Sequence, residues 1–174
     1  MRNSIYKIGM LAMVFLAFSF AGNAQINKKK KANKDTENWR YEIECVGIGK
    51  PGTKVIKVWS YSKKANIANA QAKKNAVHGM IFQGYAGGGQ GCTNQRPMSN
   101  NPALEQEHQQ FFEDFFETNG GKYMKFVSVS GDATPDVMKV GKEYKVGIVV
   151  VVQTDFLRKD LEAAGIIKGL SNGF

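Results

Sequence analysis

The chain has 174 residues, 43% of them hydrophobic, and a formal charge of +9 from 24 basic and 15 acidic side chains. Once a leader is set aside, that length builds one ordinary domain with a real core and leaves little room for two. Much of the positive excess is concentrated near the N-terminus, so the folded part is only modestly basic.

Arg2 and Lys7 precede the apolar run MLAMVFLAFSF and the small residues AGNA, a signal-peptide pattern with cleavage expected after Ala24. A retained membrane anchor is the competing reading, but the run from Ile8 to Gly22 is shorter than the roughly 20 residues a spanning helix needs. Gln25 rather than a cysteine would stand at the new N-terminus, and Cys45 lies inside the first strand, so a lipid-modified terminus is not expected. Residues 1–24 are therefore assigned to a leader, and the mature protein to the periplasm or the exterior. Residues 25–38 include NKKKKANKDTEN, which has no apolar periodicity and is expected to form a disordered arm. Lys28, Lys29, Lys30 and Lys31 could serve a solvated spacer or contact anionic envelope lipid or polysaccharide. Export argues against nucleic acid as the partner.

A single α+β domain is expected over residues 39–174. Trp39, Tyr41, Ile43 and Cys45 alternate with Arg40, Glu42 and Glu44, which predicts a half-buried strand ending at GIGKPG. TKVIKVWSYS is a second strand, close enough to form a hairpin with the first. After Ser62 a helix is predicted to about Gln83, with Ala65, Ala68, Ala72, Ala76 and Met80 on one stripe. Alanines there let the helix lie close against a sheet.

GYAGGGQGC follows this helix rather than a strand and lacks a closing Gly-Lys-Ser/Thr, which argues against a phosphate-binding loop and for a long surface loop. ALEQEHQQFFEDFFETNGG predicts a second amphipathic helix with Leu104, His108, Phe111, Phe112 and Phe115 on its apolar side. Two strands, KYMKFVSVS and EYKVGIVVVVQT, are expected to be joined by GDATPDVMKVGK, with Val149–Val152 covered on both faces. A last helix follows from Asp155. The order β-β-α-α-β-β-α describes helices packed on a mainly antiparallel sheet.

The catalytic inventory is thin. Glu105 and His108 have E-x-x-H spacing, but helical-bundle metal sites need a second such motif and further carboxylates, and none is present. No C-x-x-C, H-E-x-x-H or G-x-S-x-G occurs, so no catalytic residue, cofactor or metal is assigned. For Cys45 and Cys92 two readings stand: a disulfide tying the glycine loop to the first strand, or a buried Cys45 with a free or intermolecular Cys92.

CVGIGKPG, a second strand, KKANIANAQAKKNAV and EYKVGIVVVVQTDFLRKDL together resemble the bacterial envelope family that includes the LPP20 lipoproteins, and are similar to the N-terminal domain of the flagellar-envelope protein FlgT. The resemblance spans most of residues 39–164. It implies a non-catalytic envelope accessory protein that works through protein contacts with an outer-membrane or secretion assembly. The alternative is a small-molecule or glycan-binding domain using the 84–102 loop, Trp59 and Tyr61.

Overall fold

The computed structural model describes residues 39–88, 91–117, 120–131 and 134–169, the side chains of residues 66–70 excepted. The leader, its cleavage point and the arm with Lys28–Lys31 lie outside the described residues.

The protein is an α+β fold built on one antiparallel sheet. β1 (Tyr41–Gly47) and β2 (Lys54–Ser62) form the expected hairpin, α1 (Ala65–Phe82) crosses the sheet, and α2 (Leu104–Glu107) and α3 (Gln109–Phe115) follow. A 3-10 segment (Lys122–Phe126) leads into β3 (Val127–Val129), β4 (Asp136–Val140), β5 (Glu143–Val152) and α4 (Thr154–Ala163). β2 pairs β5 along its whole length, from Lys54 opposite Val152 to Ser62 opposite Tyr144. β3 and β4 share the other edge of β5, opposite Val150–Val152 and Glu143–Gly147 respectively. They act as one edge strand interrupted by the residues between them. Among the described residues, no helix is long and apolar enough to cross a membrane.

Alternation places Ile56, Val58 and Ser60 of β2 and Val146, Ile148, Val150 and Val152 of β5 beneath α1, all buried. Ala72, Ala76 and Met80 meet them from above with no exposed surface, so these three positions of the stripe are core, and Ala65 is partly buried against it. Gly79 extends the close approach, because a Cβ there would run into Ile43 Cδ1 of β1. Phe112, Phe115, Phe116, Tyr123 and Phe126 close one end of the core through edge and stacked ring contacts. Leu157 and Leu161 bring α4 onto it, each worth about 1.5–3 kcal/mol of burial.

Four expectations are corrected. The second helix breaks at His108, whose φ of -118° and ψ of 38° leave the helical region, so the run becomes α2 and α3. Lys122–Phe126 is 3-10 rather than strand, which turns Tyr123 and Phe126 together into the core. Asp136–Val140 is a strand, since Gly141, at φ 61°, occupies the first central position of a two-residue hairpin turn. Finally, Val149 and Val151 are half-buried rather than buried, because among the described residues no helix layer covers that face of the sheet.

Candidate functional site

The glycine stretch is held at three places. α1 ends with Gly84 at φ 66°, and the N–H groups of Gln83 and Gly84 both return to the Gly79 carbonyl. Tyr85 and Gln95 exchange a pair of main-chain hydrogen bonds of 2.9 Å, closing the loop into a tongue. The chain then runs back along α1, where Met98 and Ser99 donate to the carbonyls of Met80 and Ile81, satisfying acceptors that a helix end leaves free. Cys92, on the tongue, is bonded to Cys45 with an S–S distance of 2.10 Å. The stretch is thus a clamped surface loop that caps its own helix.

The face of the sheet that carries no helix among the described residues is covered by its own charges. Arg40 pairs with Glu143, Lys57 with Asp136 and Lys145 with Glu42, while the Tyr61 hydroxyl donates to Glu42. Glu42 is held below the usual carboxylate range, first by the Lys145 hydrogen bond and then by Tyr61. Trp59 lies flat across Gly147, where a Cβ would stand 2.7 Å from the indole, and Lys57 and Lys145 sit over its ring. Only 9% of Trp59 is exposed, which leaves little aromatic surface for a sugar to stack on.

The β3/β4 edge differs. Val129, Val137, Met138 and Val140 are 43%, 53%, 44% and 51% exposed. Every residue of β4 is exposed, and no strand pairs its outer side among the described residues. In a hairpin closed by Gly141 and Lys142, the Val140–Glu143 pair exchanges hydrogen bonds, as do Met138–Lys145 and Asp136–Gly147. The main-chain groups of Val137 and Lys139 therefore point away from the sheet. Edges of this kind are normally blunted by charge, proline or a bulge. Lys139 and the interruption between β3 and β4 are the blunting devices here.

A polar cluster lies on the helix side of β1. His78 of α1 is 6% exposed, and its Nδ1 is 2.6 Å from the Tyr41 hydroxyl. Burial raises the Tyr41 pKa far above the ordinary phenol range, so the hydroxyl keeps its proton. The Glu105 carboxylate beside Nε2 favours the neutral tautomer with its proton on that nitrogen, in which the Tyr41 hydroxyl donates to Nδ1. Glu105 Oε2 is 3.5 Å from Nε2, too long for a compact hydrogen bond, and among the described residues Nε2 has no other hydrogen-bond partner. Trp39 stacks on the imidazole at 3.5 Å and holds φ 43°, a left-handed conformation costly for a bulky residue. Burial lowers the His78 pKa, with Lys74 acting the same way and Glu105 opposing.

The structure thus brings Cys45 and Cys92 together and partners Glu105 with His78 rather than with His108. Among the described residues, no three His, Cys, Asp or Glu side chains gather as metal ligands. His78 escaped the sequence reading. Its signal is the polar series Gln71, Asn75 and His78 at i, i+4 and i+7, all buried beside the alanine stripe, with Asn75 donating to Ser60 Oγ at 2.9 Å. No protein-family model, characterised protein or solved structure matches the chain.

Proposed function

We propose that the protein is a non-catalytic, exported envelope accessory protein that binds a component of an outer-membrane or secretion assembly, with the β3/β4 edge as its contact surface. The observation that carries this reading is the open edge with four exposed apolar side chains. A partner segment in extended conformation would bond to the main chain of Val137 and Lys139 and cover Val137, Met138 and Val140, adding a strand to the sheet. The leader pattern and the Cys45–Cys92 bond both favour an oxidising compartment outside the cytoplasm. The resemblance to the LPP20 type of envelope protein points the same way. The glycan-binding alternative would have to use a surface other than Trp59.

Val137→Pro tests the reading selectively. It removes a main-chain donor that points outward, so the β4–β5 ladder keeps its bonds while strand addition is blocked. Native envelope extracts should yield a stoichiometric protein partner with the wild type and lose it with Val137→Pro at unchanged melting temperature. Equal recovery by both proteins would refute the assignment to this edge.

A further inference from the structure

The His78 cluster borders a surface cleft of about 420 Å³, with Phe82, Pro97 and Pro102 on its apolar walls and Glu105 and Asn100 among its polar groups. This feature is remote in sequence from the β3/β4 edge and owes nothing to the reading given to that edge. At its inner side the Nε2–H of His78 is buried without a compact acceptor, which is unfavourable in a folded interior unless another group takes the proton. The Glu105 carboxylate stands beside it at 3.5 Å. A buried donor and a partly exposed acceptor therefore lie side by side at the cleft wall.

That arrangement selects a ligand chemistry. Two neighbouring hydroxyls can serve both groups at once, one accepting from Nε2–H and the next donating to the carboxylate. An anion would meet the charge of Glu105, and a metal ion would find one carboxylate and one imidazole whose other nitrogen already accepts from Tyr41. Phe82 and the two prolines offer the apolar surfaces against which the C–H face of a pyranose packs, and the volume lies in the range of small-ligand sites. We propose that this cleft binds a neutral saccharide, a vicinal diol of which bridges His78 Nε2 and Glu105. The Glu105 side chain, 37% exposed on the four-residue α2, covers Nε2 in the free protein and turns aside for the diol.

Trp39, stacked on the same imidazole, supplies an optical report of occupancy. The mature protein is titrated with glucose, galactose, mannose, N-acetylglucosamine and maltose, following tryptophan fluorescence and the His78 imidazole resonances. At least one sugar should give a saturable change at His78. Glu105→Ala, a rim substitution that leaves the core intact, should weaken binding at least tenfold with unchanged melting, and His78→Phe should abolish it. No saturable His78 response to any of the five at roughly ten times a 1 mM Kd would overturn the proposal. Binding undiminished in Glu105→Ala would do the same, and that variant keeps the test sound if His78→Phe fails to fold.

Discussion

Breaking the Cys45–Cys92 bond is expected to lower stability without dismantling the fold. The two cysteines are 47 residues apart in sequence, and the chain-entropy relation assigns closure of such a loop roughly 4 kcal/mol, as the freedom denied to the unfolded chain. In the folded state the tongue has its own anchors: the Tyr85–Gln95 pair and the bonds from Met98 and Ser99 to the end of α1. Reduction therefore acts chiefly on the unfolded ensemble. At roughly 4 °C per kcal/mol for a domain of this size, the melting temperature should fall by about 15 °C, with native-state strain or residual unfolded structure reducing that figure. The assay is a thermal melt followed by circular dichroism, comparing the oxidised protein, the reduced protein and a Cys45→Ala/Cys92→Ser variant, alongside a thiol count on the unreduced, denatured chain. The reduced protein and the double variant should melt together, well below the oxidised form, with native far-UV spectra before melting. Two titratable thiols in the unreduced protein, or reduced and oxidised melts that coincide, would refute the reasoning.

Gly147→Val should drive a side chain into the Trp59 indole and cost about 1–3 kcal/mol, seen as a lower midpoint in urea and a red shift in tryptophan emission; an unchanged spectrum would contradict the stacked placement. Ala72→Leu or Ala76→Leu should destabilise by a similar 1–3 kcal/mol through overpacking between α1 and the sheet, and unaltered melting in both would contradict it. Because burial holds the His78 pKa below 6.5, the unfolded chain takes up that proton first. The corresponding stability is fully present above about pH 6.5 and is lost as the pH falls through the folded value. Denaturant titrations should show that decline in the wild type and a shallower one in His78→Phe, while loss of the Glu42 contribution enters only at more acidic pH. If Lys28–Lys31 contact anionic surfaces, association with anionic vesicles should weaken as salt rises and disappear when all four become glutamine; a salt-insensitive interaction would exclude that role.

Side-chain periodicity made the hairpin, α1 and α4 legible, because each has one face that must be buried and a spacing that reveals it. The break at His108 was not legible: Leu104, Phe111, Phe112 and Phe115 keep helical spacing on either side, and the change is confined to the backbone dihedrals of one residue. β4 was missed for a different reason. DVMKV is short and exposed on both faces, so it carries no inward alternation, and only pairing with β5 makes it a strand. His78 shows the limit of motif reading. Its partners Tyr41, Trp39 and Glu105 come from separate parts of the chain, and no local spacing announces their convergence.

The most direct test of the central claim is site-specific photo-crosslinking in the intact envelope, with a photoreactive residue placed in turn at Val137, Met138, Ile48, Phe156 and Trp59. Ile48 and Phe156, 78% and 63% exposed, control for apolar exposure away from the edge, and Trp59 samples the charge-covered face. A discrete protein adduct is expected from Val137 and Met138, and it should disappear when the β4 edge is blocked by Lys139→Pro. Adducts arising from Ile48, Phe156 or Trp59 while Val137 and Met138 give none would contradict it.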